Sequence, residues 1–166
     1  YELYRQLESR TGPAIVWHVK QAQLYAILDK LENQGLLTSE RVEGDTHHDR
    51  RQYHLTEAGK KELDTWMRTP VEHIRAMRQE FLARLYFAKQ ESPQTAYQLI
   101  VQQVQICRLW LNSLQAGLTA VVQGEAGSYE RMVLQFRLTQ TQGFMFWLDV
   151  CIKELGEPLP QKSFQS

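Results

Sequence analysis

From Tyr97 onward, apolar side chains recur at Ile100, Val104, Cys107, Leu111, Leu114, Leu118 and Val121, in steps of three and four without a break. That alternation is the seam of a coiled coil. A second run, Leu134, Leu138, Thr141, Met145, Leu148, Ile152 and Leu155, keeps the same rhythm and carries another line at Val133, Phe136, Phe144, Trp147 and Cys151. Two lines on one helix cannot both face one neighbour. One is expected to pack inside the protomer and the other against a second copy. Between Ser92 and Gln123 only Arg108 is charged, which suits a helix flanked by protein on several sides. Ile74, Met77, Phe81, Leu85 and Ala88 add a third packing surface on a preceding helix. The periodicity therefore predicts three helices of about 17, 32 and 30 residues. They form an arm too thin to stand alone, so an obligate homodimer is expected. Its dimerisation residues are Tyr97, Ile100, Val104, Leu111, Leu114, Leu118, Leu138, Met145, Leu148 and Ile152.

Charge narrows the classes. The 166 residues carry 19 basic and 19 acidic side chains, a formal net charge of zero. Bulk charge therefore drives no partner: there is no basic arm and no acidic tail. Residues 1–70 hold 10 basic and 11 acidic groups, whereas residues 71–166 hold 9 and 8 over a longer stretch. No apolar run reaches the length of a membrane span. The opening Tyr1-Glu2-Leu3 lacks the charged and apolar pattern of a secretory leader, so a cytoplasmic protein without a membrane partner is expected. Cys107 and Cys151 match no disulfide framework or zinc spacing.

The first half reads as a short mixed unit, residues 1–69, separated at Thr69-Pro70 from a helical second half, residues 70–166. Glu2 to Arg10 reads as a helix closed by Thr11-Gly12-Pro13. From Val19 to Gln34, Leu24, Ile27, Leu28 and Leu31 form a helical stripe, with Gly35 suited to the C-terminal cap. Leu36 to Glu43 and Arg50 to Thr56 read as two strands around a tip at residues 44–49. Thr56 can cap a following helix that carries Leu63, Trp66 and Met67. Helix, helix, hairpin, helix is the order of a winged helix-turn-helix. The fold class is thus mainly α with a small β-hairpin wing, followed by a long-helix dimerisation domain.

Specific words sharpen this. Leu24-Tyr25, Leu31-Glu32 and Gly35-Leu36, followed by Tyr53, Leu55, Thr56 and Gly59, resemble the PadR-type transcriptional regulators. In that family a recognition helix runs into a Leu-Glu-x-x-Gly-Leu turn, and the wing ends in Tyr-x-Leu-Thr-x-x-Gly. The stretch from Arg78 to Ala88 is similar to the long-helix region of the branch that includes the AphA virulence activator. The resemblance implies a regulator, leaning towards repression, that binds a palindromic site on double-stranded DNA as a homodimer. The family also has a helix before the Tyr-Glu-Leu word at which this sequence opens, so that helix is expected to be absent from the residues read here.

Counting about 100° per residue, Leu24, Leu28 and Leu31 point inward while Ala22, Ala26 and Asp29 point outward. Lys20, Gln21 and Gln23 lie at the entry end of the helix, where base edges are read. Gln pairs with adenine, Lys reaches guanine or phosphate, and small alanines permit close approach. Tyr25 can donate to a phosphate, and Lys30 flanks the same face. Arg50 and Arg51, with His47 and His48, are expected phosphate or minor-groove contacts of the wing, although Glu43, Asp45 and Asp49 surround the tip. His47, His48 and His54 have no metal-ligand spacing, so no metal and no cofactor is expected. No nucleotide-binding loop or nucleophile motif points to an enzyme. Two alternatives stay open. One is a winged-helix protein-interaction module without DNA binding. The other is a regulator responsive to an unidentified small-molecule effector held by Trp110, Tyr129, Phe136, Phe144 or Trp147.

Overall fold

Leu24 and Leu28 are buried and Leu31 is half-buried along one side of α1 (Gln21–Asn33), whereas Ile27, the fourth member of the expected stripe, is exposed at its edge. The helix stops because Gly35 takes a left-handed φ of 72°, a conformation that costs glycine little. The Leu36 N–H then donates to the Leu31 carbonyl (3.0 Å) and the Gly35 N–H to that of Glu32 (2.9 Å). This pair of bonds is a Schellman closure. In this computed structural model the residues described are 3–5, 12–16, 19–42, 50–123 and 127–156. The first expected helix falls mostly outside that set. The chain divides into two units, Tyr1–Met67 and Arg68–Ser166.

In the first unit, β1 (Leu37–Val42) and β2 (Arg50–Leu55) pair antiparallel, with Leu37 opposite Leu55 and Val42 opposite Arg50. The strands are shorter than the sequence suggests, because Leu36 and Thr56 have other tasks. Thr56 donates its N–H to the Leu36 carbonyl (3.1 Å) and its hydroxyl to the Gly35 carbonyl (2.7 Å). The same hydroxyl accepts from the Gly59 N–H (3.0 Å) and so caps α2 (Glu57–Arg68). Such a cap is worth about 1 kcal/mol. Gly59 is buried, and a Cβ there would lie 2.0 Å from the Leu36 carbonyl oxygen. One carbonyl thus joins the helix turn, the end of the wing and the start of α2.

The second unit begins with a 3-10 turn, Ile74–Arg78, and α3 (Glu80–Glu91). The sequence predicts one helix through both. The break has a backbone cause, since Gln79 (φ −134°, ψ −57°) leaves the helical region. Ser92 accepts from the Thr95 N–H (3.0 Å) and Pro93 occupies the first position of α4 (Pro93–Gln123), where its missing N–H costs nothing. After Gly127 follows α5 (Ser128–Leu155), which packs along α4. Buried Gln103 on α4 uses both ends of its amide on one residue. Its Oε1 accepts from the Val71 N–H (2.8 Å) and its Nε2 donates to the Val71 carbonyl (3.1 Å). The Phe81 ring on α3 meets Trp147 of α5 edge-on, with centroids 6.0 Å apart. Among the described residues, no helix is long and apolar enough to cross a membrane.

The seam assignment needs correction. Ile100 and Leu148 are 0% exposed and Leu114 is 8% exposed within a single chain. A side chain already enclosed has no surface left for a second copy, so these three are core rather than dimerisation residues. Val104, Met145 and Ile152 are partly buried against the same core. Tyr97, Leu111, Leu118 and Leu138 are half-buried. From the second apolar line, Phe144, Trp147 and Cys151 also join the core, leaving Val133 half-buried and Phe136 exposed. Heptad spacing reports that a helix has a partner. It does not distinguish a partner in the same chain from one in another.

Candidate nucleic-acid interface

Because Leu24 and Leu28 are consumed inward, the opposite side of α1 is open. Lys20, Gln21, Ala22, Gln23, Tyr25, Ala26, Asp29 and Lys30 are all exposed. Lys20 is the extended N-cap residue, and its side chain makes no cap bond. The first turn contains no acidic residue, so no carboxylate of that turn opposes an anion near the positive end of the helix dipole. Long polar side chains alternate here with two alanines, a surface that can approach a groove closely and still donate and accept hydrogen bonds. The expected reading residues on α1 are therefore all open to solvent.

The wing is different. Arg50 begins β2. Arg51 faces back towards α1, where NH2 donates to Glu32 Oε2 (3.0 Å) and NH1 to Asp29 Oδ1 (3.5 Å). Its Nε donates to Ser39 Oγ (3.0 Å), and Ser39 donates onward to Glu32 Oε1 (2.6 Å). The guanidinium carbon stands 5.6 Å from the centre of the Tyr53 ring, within cation–π range. Exposed ion pairs contribute at most about 1 kcal/mol each, so this network orients α1, β1 and β2 more than it stabilises them. Sequence reasoning grouped Arg51 with Arg50 by adjacency and had no means to see its carboxylate partners. His54 Nε2 lies 3.1 Å from Glu40 Oε1. His47, His48, Glu43, Asp45 and Asp49 lie outside the described residues, so the tip contacts expected of them have no structural description.

Among the described residues, no cluster of His, Cys, Asp or Glu could hold a metal ion. The Cys107 thiol is pushed up to about 11 by burial, partly offset by a hydrogen bond with Gln103. Burial also raises Cys151, with Glu154 adding to the effect and Lys89 opposing it. Neither thiol has the low-pKa character of a redox sensor.

Residues 1–65 match the model of the "Transcriptional regulator PadR-like family". Residues 77–156 match that of "Virulence activator alpha C-term". The chain belongs to the PadR-like family. One relative, the "Negative transcriptional regulator PadR" of Bacillus subtilis (strain 168), is 30% identical over 117 residues, which is 70% of this chain and 58% of that protein. The chain thus spans little more than half the length of that curated relative. Two solved structures are similar. Bacillus subtilis PadR in complex with operator DNA shares 23% identity over 94% of this chain and 88% of that one, with a TM-score of 0.43. The same protein in complex with p-coumaric acid shares 23% identity over 94% and 87%, again with a TM-score of 0.43.

The geometry gives the PadR-like words a physical content. Gly35 is the left-handed end of α1, Thr56 caps α2 after the hairpin, and Gly59 admits the Leu36 carbonyl. All three specify backbone placement. Within the family words, Glu32 is the residue that reaches across to the wing through Arg51 and Ser39.

Proposed function

We propose that this chain is a DNA-binding repressor that seats two α1 helices of a homodimer on a palindromic operator. Residues 1–69 form the DNA-binding part and residues 70–166 the dimerisation part, and the protein works in the cytoplasm without catalysing a reaction. The observation that carries this reading is the exposed face of α1, where Lys20, Gln21, Gln23, Tyr25 and Lys30 surround Ala22 and Ala26. The name of the Bacillus subtilis relative, a negative transcriptional regulator, supports the sign of regulation.

Support for the homodimer comes from the side of α5 away from the core. Tyr129, Met132, Phe136 and Phe146 are between 61% and 73% exposed. At 100° per residue they fall opposite Thr141 and Leu148, both fully buried. An apolar stripe of this kind, rather than the enclosed seam, is the surface that a second copy would cover. The case for a small-molecule effector is weaker, because the aromatic rings are divided: Trp110, Phe144 and Trp147 pack against the core while Tyr129 and Phe136 face outward.

Gel-shift titration tests the reading. Fragments selected by the protein from a random pool should be retained at about 50 mM salt and released as salt rises, with a log–log slope near −0.9 for each phosphate neutralised. Failure to retain any DNA at that salt contradicts it and favours a winged-helix protein-interaction module.

A further inference from the structure

We infer that Arg51 is a positioning residue, a strap that sets the wing against the recognition helix, and not a phosphate contact. This inference rests on the DNA-binding reading above. Each of its three guanidinium nitrogens makes one bond within the unit, Nε to Ser39, NH1 to Asp29 and NH2 to Glu32. Ser39 bonds Glu32 as well, which closes a ring through α1, β1 and β2. The Tyr53 ring lies within cation–π range of the guanidinium. The two carboxylates that Arg51 bonds offset its charge, so it offers a phosphate less attraction than an unpaired arginine would. Asp29 is exposed on the face of α1 that would meet DNA, and Arg51 also neutralises it there. The planar fork of Arg suits this geometry, because it reaches several acceptors at once in fixed directions.

The strap has consequences that a phosphate contact would not. Losing it lets the wing and α1 move relative to each other, so base contacts are seated less well while the count of phosphates engaged stays the same. The test uses the full chain and two probes, a fragment selected from a random pool and a random-sequence duplex of equal length. Arg51→Met should lower the preference for the selected fragment about tenfold, the size of one poorly seated base pair, without changing the salt slope. Glu32→Gln should cause a similar loss. Arg51→Glu combined with Glu32→Arg restores opposite charges across the same gap and should recover most of the preference. A role confined to stability would leave the preference of the folded protein unchanged in all variants.

If Arg51 instead binds phosphate, Arg51→Met reduces the slope by about 0.9 for each bound protomer. Glu32→Gln then strengthens binding by freeing the arginine. Either result, or wild-type preference in Arg51→Met and Glu32→Gln, overturns the strap while leaving DNA binding intact. A wild-type protein that shows no preference between the probes overturns the DNA-binding reading, and the strap with it.

Discussion

The two units are specified by different means. In the first, few of the described side chains are fully enclosed, and the decisive contacts involve backbone: Gly35 turning left-handed, Thr56 capping, Gly59 lying against the Leu36 carbonyl. In the second, Met77, Phe81, Leu99, Ile100, Cys107 and Leu148 form one enclosed apolar cluster, and many aliphatic choices would fill similar volume. A small unit that buries little gains its definition from positions that tolerate only one residue type. A helical bundle gains it from summed burial. The difference explains why the first unit is recognised by words and the second by rhythm.

Substitutions can break this contrast. The largest effect is expected for Phe81→Ala, which removes a fully buried ring and its edge contact with Trp147. It should cost about 3–5 kcal/mol in chemical denaturation. Gly59→Ala should cost about 3 kcal/mol, because its methyl group would overlap the Leu36 carbonyl. A control sharpens that prediction: at Gly117, inside α4, a Cβ would meet Leu134 at 3.8 Å, and Ala should add about 0.5–1 kcal/mol by restraining the chain. If both glycines respond alike, the distinction between the units fails.

Thr56→Ala should cost about 1 kcal/mol through the lost cap, with Thr56→Ser recovering most of it. The smallest effect on the fold of a single protomer, within about 0.5 kcal/mol, is expected when Phe136 and Phe146 are both replaced by Ser, since both rings are exposed on one chain. Sedimentation should nevertheless find that variant near the 19.5 kDa of one chain and the wild type near twice that mass. A stable dimer in the variant would move the interface elsewhere on the molecule.

Much of the fold was legible in the sequence. The stripe of Leu24, Ile27, Leu28 and Leu31 placed α1, although Ile27 is exposed, and the Gly35 and Thr56 signals placed its end and the next helix, because these are local effects of cap chemistry and periodicity. The break at Gln79 was not legible, since an uninterrupted apolar rhythm passes through it. The seam of Ile100, Leu114 and Leu148 was found but given to the wrong partner, because heptad spacing carries no information on which chain fills the groove. The exposed face of α1 follows directly from the inward stripe. Arg51 does not, for its partners lie 12 to 22 residues away in sequence, and only the hairpin brings them together.

The most direct test of the central claim is the set of sequences that the wild-type protein enriches from a random pool of duplex DNA. Two recognition helices on one symmetric dimer predict an inverted repeat with half-site centres about 10 base pairs apart, or a multiple of that. Enrichment of such a repeat, abolished by Gln21→Ala with Gln23→Ala, is the result expected here. No enriched motif, or a repeat enriched equally well by that double variant, would contradict it.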